Sequence, residues 1–550
     1  MAFQYANVNS GGMCTHYHAR SLVIISSFLI AILSIVNYFV IEYHGQPFTI
    51  ADLANIKSAM TVMGAYSFSI KGIVLIEVIS IILIVGFSVF YFRNKRLTRF
   101  VTIPVFLMAA ICFYFAYLSP DSYISRADTS PNWVWAIQGV GYTPYFVHRS
   151  ILSSSVVRVP AGFNGLQEEI YSYMNQKVKN EKENDVNNIE SPDIIFILNE
   201  TYYDVDLLLD TETHEEVFKN YDKLDCIKGY TISPQTGGGT NCSEYELLTS
   251  NSVHLVPYVS PFIYLDMKGS NSVISFLKSR GYNTTGMHQF DSTCYSRNIA
   301  YPDMEFDNIL WEEECQGLEY YGNRSDFATD LSVYKNLIRS YEEENEPGPK
   351  CIYCLTIQNH GHWEQNDDKE DLVKIEGDFG EYTDDLNEYL SCMKLSDEAL
   401  GYLINYFENV DRDVIIVMAG DHCPSFLPNL VPDAGDEDAI LKIRSTPFLV
   451  WSNHINLDKS VLEQSNRISM NYLVPLTLKA AGISLSGYYE DLVELQNVYP
   501  ILEKDNGYYD LENKHHSFTD EEELPDILRN YYYIEYINIE QPDKIRGYFY

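Results

Sequence analysis

Threonine at the end of a glycine run is the residue in this chain best placed to do chemistry. In Thr236-Gly-Gly-Gly-Thr240-Asn-Cys-Ser-Glu-Tyr-Glu246 the three glycines let backbone come close to a ligand. The string then reads as a helix start, where unpaired N–H groups and the positive dipole end favour an anion. A phosphate ester suits that setting. Elsewhere, side chains able to hold a metal or a phosphate follow directly on apolar runs. Ile194–Leu198 ends in Asn199-Glu200, Val414–Met418 leads through Ala-Gly to Asp421-His422, Ile352–Ile357 to Gln-Asn-His360, and Tyr282–Gly286 to Met-His288. Taken singly, each has a plain structural reading as a capped turn, a solvated strand end or a satisfied loop histidine. Together, Glu200, Asp421, His422 and the Thr240 oxygen make a four-ligand set for Mn²⁺, Mg²⁺ or Zn²⁺, among which these donors do not choose. A cation held there would lower the pKa of the Thr240 hydroxyl and make it a nucleophile, with a covalent phospho-threonine as the result. Arg297, nine residues after His288, would stabilise charge on the phosphoryl group. His360 would hold a phosphate oxygen or protonate the leaving alcohol, and His288 with Arg297 would position the substrate head.

The elements that must carry these residues are short buried strands alternating with helices, the pattern of an α/β fold with a largely parallel sheet. Strands are predicted at Ile194–Leu198, Tyr282–Gly286, Ile352–Ile357, Val414–Met418 and Phe448–Trp451. Ser272-Val-Ile-Ser-Phe-Leu-Lys278 followed by Gly281 is a helix, glycine, strand unit. In such sheets ligands bind beyond the carboxyl ends of the strands, where the candidates fall. The pair Cys351/Cys354 lies inside an apolar run and reads as a buried strand rather than a redox motif.

A chain of 550 residues exceeds one ordinary core. Its apolar content is concentrated at the start. Three spans of membrane-crossing length are expected at about 21–40, 72–92 and 100–118, and the basic loop Arg93-Asn-Lys-Arg-Leu-Thr-Arg99 should stay cytoplasmic. Everything after Leu118 is then extracellular. The expected domains are a membrane domain 1–119, a juxtamembrane connector 120–191, a catalytic domain 192–500 and a peripheral acidic, aromatic tail 501–550. With 76 acidic against 38 basic residues the net charge is −38, which argues against nucleic acid as a partner. The 10 cysteines show neither a disulfide nor a zinc-module spacing.

The set Asn199-Glu200, Thr236-Gly-Gly-Gly-Thr240-Asn-Cys-Ser-Glu-Tyr, His288 with Tyr295-Ser-Arg297, Gln358-Asn-His360 and Gly420-Asp-His422 resembles the lipoteichoic acid synthase and phosphoglycerol transferase family, within the alkaline phosphatase and sulfatase superfamily. The resemblance implies an α/β/α sandwich with a mostly parallel sheet. It implies one divalent metal, Mn²⁺ first with Mg²⁺ or Zn²⁺ as alternatives, held by Glu200, Thr240, Asp421 and His422. Thr240 is also the implied nucleophile, and His288, Arg297 and His360 are the implied contacts to phosphate and glycerol. The implied reaction takes glycerol phosphate from phosphatidylglycerol to a cell-surface polymer or glycan, at the outer face of the membrane of a Gram-positive bacterium. Two features depart from the pattern: three spans where the synthases have five, and Tyr295 in place of a tryptophan. Phosphodiester hydrolysis, phosphoethanolamine transfer and a catalytically inactive polymer-binding module are the competing readings. A sulfatase is disfavoured because no C/S-x-P-x-R string is present, Cys423-Pro-Ser-Phe having its proline one place early and no arginine.

Overall fold

The computed structural model describes residues 24–25, 28–41, 47–48, 79, 82–83, 137, 141–143, 145–147 and 157–181. It also describes 191–550 with short gaps at 210, 214, 257–259, 293, 323–326, 345, 364–370, 432–433, 463–465, 505–506 and 518–523. Two compact units divide the chain, one of residues 1–53 and 66–154, the other of 54–65 and 155–550. In the first, residues 28–41 are helical, and Phe28, Leu29, Ile30 and Ile32 are exposed. Among the described residues no helix is long and apolar enough to cross a membrane. Of the three expected spans, 100–118 lies outside the described residues, 72–92 contributes only Ile79, Ile82 and Leu83, and 21–40 contributes helical residues 24–25 and 28–40.

The second unit is built on an eight-stranded sheet. Its strands are β1 (Asp193–Asn199), β2 (Ile227–Ile232), β3 (Asn283–His288), β4 (Asn308–Leu310), β5 (Lys350–Leu355), β6 (Val414–Gly420), β7 (Ser445–Ser452) and β8 (Arg467–Ser469). They lie in the order β8-β2-β7-β6-β1-β5-β3-β4. Every neighbouring pair is parallel except the two that involve β7, so the sheet is mostly parallel, as the apolar runs suggest. β1, β5 and β6 are buried almost throughout, as strands covered on both faces must be. One face packs Ile195, Ile197, Ile352 and Ile416 against helices Asp330–Glu343 and Thr383–Phe407 through Tyr334, Leu337, Leu400 and Leu403. On the other face, Tyr353 meets Tyr301 and Phe306. Leu355 pairs with both Leu198 and His288, and Asn199 pairs with Gly420. That register brings four chain segments to one edge at the same level.

The helix, glycine, strand unit forms as its residues require. Ser272 caps helix Val273–Ser279 by accepting from the Ser275 amide, and Gly281 turns the chain with φ +84°. The expectation of a peripheral tail after Pro500 does not hold. Helix Asp526–Glu540 buries Leu528, Tyr531, Tyr532, Tyr533, Ile534 and Ile537, and packs on helix Phe163–Glu181, with the Phe163 ring 4.7 Å from that of Tyr536. The acidic residues that made the segment look solvated lie mostly at the helix ends and in the preceding stretch, while its aromatics supply a buried stripe.

Candidate active site

Gly237, Gly238 and Gly239 all have positive φ (67°, 139° and 78°), a path that only glycine takes without strain. A Cβ on Gly237 would meet Ser425 Cα at 2.7 Å, so the glycine run lies directly on the loop that follows Asp421-His422. Helix α1 (Thr240–Thr249) starts immediately after, with all ten residues buried. Its Ser243 and the preceding Ser233 both donate to the Asp421 carbonyl, at 2.7 and 2.5 Å, fixing the helix start to the end of β6.

Thr240 Oγ1 lies 3.3 Å from Glu200 Oε2, to which it donates. Glu200 Oε1 is 3.5 Å from His422 Nε2, and Asp421 Oδ2 is 3.1 Å from that same nitrogen. The three side chains are buried and offer one donor atom each within 4.8 Å of one another. His422 Nδ1 lies 2.9 Å from the Cys423 carbonyl, which can only accept, so the ring proton is on Nδ1 and Nε2 presents a lone pair. Among the described residues no N–H or O–H group donates to Asp421 Oδ2 in hydrogen-bond geometry, the Thr240 hydroxyl being the side-chain donor near this carboxyl. Lone pairs from two carboxylates and an imidazole therefore face one another in a buried place, an arrangement that repels itself without a cation. Burial, then the Glu200 charge, raises the Asp421 carboxyl far above its ordinary range, while burial lowers His422. These donors fit a divalent cation with N and O ligands. Second contacts hold them: the Thr201 amide donates to Asp421 Oδ1 at 2.6 Å, Thr201 Oγ1 to Glu200 Oε1 at 2.8 Å, and the Glu200 amide to Thr356 Oγ1 at 3.1 Å.

A second group lies beside the first. His288, the last residue of β3, has Nδ1 3.2 Å from the Leu355 carbonyl, so its Nε2 is an acceptor and takes an Arg297 Nη1 proton at 3.4 Å. Burial and the Arg297 charge keep His288 neutral, with its pKa well below the usual value. Arg297 Nε and Nη2 donate to Glu244 Oε2 at 2.8 and 2.6 Å, and its guanidinium lies 5.0 Å from the centre of the Tyr295 ring. Tyr295 and Ser296 have φ of 53° and 58°, a double left-handed turn that directs Arg297 inward. His360 is half-buried, tilts against Phe327 at 5.0 Å and adds to the field lowering His288.

The structure thus brings Glu200, Thr240, Asp421 and His422 into one cluster and His288 with Arg297 into an adjoining one. Glu244 was not singled out from the sequence, although it stands inside the quoted glycine-threonine motif. Its signal was the helical spacing of four that puts it on the same side as Thr240. Asp330 was missed too. Buried, and raised to about 6 chiefly by that burial, it accepts from Asn199 at 3.0 Å and Ser396 at 2.5 Å, and so braces the residue before Glu200.

Residues 192–483 match the model of the sulfatase family. The chain belongs to the sulfatase family. A protein of Rhizobium meliloti named for cyclic beta-1,2-glucan modification is 28% identical over 325 residues, covering 57% of this sulfatase-family chain and 49% of that protein. Lipoteichoic acid synthase 2 of Bacillus subtilis is 25% identical over 197 residues, 34% of this chain and 28% of that one. The match thus spans about half the length of the first relative and less of the second. Phosphoglycerol transferase GacH of Streptococcus pyogenes, solved with sn-glycerol-1-phosphate, superposes with a TM-score of 0.57 at 20% identity, over 72% of this chain and 99% of that one. Its likeness lies in the fold alone.

Proposed function

We propose that the protein is a membrane-anchored phosphoglycerol transferase of the lipoteichoic acid synthase type. It moves glycerol phosphate from phosphatidylglycerol to a cell-surface polymer or glycan, with the spans at 21–40, 72–92 and 100–118 anchoring an extracellular catalytic domain of residues 192–500. The observation that carries this reading is the Thr240 hydroxyl, 3.3 Å from Glu200 at the rim of three converging lone-pair donors. Glu200, Asp421, His422 and Thr240 would hold a divalent cation, Mn²⁺ on the family resemblance, which when bound would lower the pKa of the hydroxyl and offset phosphoryl charge. Thr240 Oγ1 bonds to phosphorus and its proton passes to Glu200 Oε2. The diacylglycerol oxygen leaves and takes a proton from His360. In the second half an acceptor hydroxyl attacks the phosphorus, its proton goes to His360, and Thr240 leaves as the oxygen that regains its own proton. Arg297 holds the phosphoryl oxygens through both halves. The relatives named for glycan modification and lipoteichoic acid synthesis, and the glycerol phosphate in the GacH structure, support the substrate class.

The full chain, in vesicles of phosphatidylglycerol, is expected to release diacylglycerol in a reaction that EDTA stops and Mn²⁺ restores. Thr240→Ala is expected to lower the rate by about a thousandfold or more. Undiminished release from Thr240→Ala would overturn the mechanism. Labelled glycerol phosphate found only free in solution would make the protein a hydrolase.

A further inference from the structure

Glu244 sits on the nucleophile's helix four residues after Thr240 and has no exposed surface. Its Oε2 receives two N–H groups of Arg297, and its Oε1 receives Tyr301 OH at 2.6 Å and Tyr353 OH at 3.3 Å. His288 Nε2 takes a third N–H from the opposite side. Among the described residues, protein occupies three of the five N–H groups of this guanidinium, which leaves one on each Nη for a phosphoryl group. The arginine is held at both edges, and its positive charge is cancelled by a carboxylate in full contact with it. In the adjoining cluster the carboxylates of Glu200 and Asp421 likewise match the charge of a divalent cation.

We propose that Glu244 is a positioning residue that also sets the charge of the phosphoryl subsite, so that the site selects singly charged phosphodiesters over doubly charged phosphomonoesters. This rests on the phosphotransferase reading of the same site. With the arginine paired, the cation matched and His288 neutral, the pocket presents donors but little net positive charge. A diester brings one negative charge to it and a monoester two, and in a buried site the second finds no counter-charge. The chain's net charge of −38 adds to that penalty. A phosphodiester donor would enter such a site more readily than inorganic phosphate.

The test is calorimetric titration of the full-length, Mn²⁺-loaded chain in detergent with dimethyl phosphate and with methyl phosphate. The wild type is expected to bind dimethyl phosphate more tightly. Glu244→Gln, which keeps the shape and removes the charge, is expected to move the ratio of the two affinities toward methyl phosphate by about tenfold, the worth of a charge-assisted hydrogen bond. Glu244→Asp, shorter but charged, is expected to keep the wild-type ratio. A role in shape alone predicts the reverse order, and that order, or an unchanged ratio in Glu244→Gln, overturns the proposal. Should Glu244→Gln not fold, Tyr353→Phe decides. It withdraws one donor from Glu244 and is expected to strengthen the preference for dimethyl phosphate by about threefold, since less of the carboxylate's charge is quenched; no change there overturns the proposal. A wild type that releases no diacylglycerol from phosphatidylglycerol would sink the transferase reading and leave this ratio as it is.

Discussion

Buried carboxylates define this protein at the level of single side chains. Glu244 and Asp330 are met by named donors, and Glu200 and Asp421 converge on His422. Glu246, on the same helix as Thr240, accepts among the described residues only from the Val253 amide, at 2.9 Å. Burial raises its carboxyl from 4.5 to about 8, with Arg444 and Lys504 opposing. Between those two values the folded chain keeps a proton that the unfolded chain gives up, so this group's contribution to stability is present below pH 4.5 and lost as pH rises through 8. Wild-type stability is therefore expected to fall across that window, with a slope of up to about 1.4 kcal/mol per pH unit from this residue. Glu246→Gln, whose Oε1 can still accept from Val253, is expected to flatten the slope. Melting curves at pH 5, 6.5 and 8 for both proteins check it, and parallel curves would refute it. The clustered residues Glu200, Thr240, Asp421 and His422 were legible in the sequence because each follows an apolar run or a glycine string. Glu244 and Asp330 were not, because a buried acid inside a helix looks like any helical acid until its partners, 53 and 131 residues away in sequence, are known.

Among the elements, β1 and β6 do most to form the site, since their parallel register sets Glu200 beside Asp421. The last residue of β6 permits this. A Cβ on Gly420 would lie 1.9 Å from the Tyr202 carbonyl oxygen, a backbone atom of the turn that carries Glu200. Gly420→Ala is expected to cost about 2–4 kcal/mol of stability and to weaken Mn²⁺ binding as the two carboxylates are forced apart. Thermal melting with and without Mn²⁺ checks both parts, and a variant with wild-type melting and metal response would contradict the packing. All five strands expected from apolar runs are present to within a few residues. The strands of the eight-stranded sheet that escaped notice are Ile227–Ile232, interrupted by Lys228 and Gly229, and the three-residue Asn308–Leu310 and Arg467–Ser469, too short to show a period. The reversed direction of β7 was also hidden. Its apolar run is indistinguishable from that of a parallel strand, because both are covered on two faces.

At the scale of the whole molecule, helix Asp526–Glu540 is part of the core of the second unit. Tyr533 donates to the Ala161 carbonyl, Asn538 to Asn251 at 2.9 Å, and Asn471 to Tyr531 at 2.9 Å, so the helix is tied to the start of the unit and to the segment just past α1. Removing residues 526–550 would uncover the Phe163 and Tyr488 rings that pack on this segment and leave those polar groups unpaired. Such a truncated chain is expected to aggregate or to lose its cooperative melting transition, not merely to lose a tail. Limited proteolysis and calorimetry check it, and a truncated protein with wild-type melting would show the helix to be dispensable. The composition gave no warning of this, since acidic and aromatic residues in one segment suit both a solvated tail and an amphipathic helix.

The helix that begins at Thr240 is enclosed on every side, with not one of its ten residues reaching solvent appreciably. Few substitutions along it can be neutral, so little variation can accumulate there over generations. On the transferase reading proposed above, a change of acceptor falls to half-buried residues such as Tyr295 and His360 and not to the enclosed segment bearing the hydroxyl.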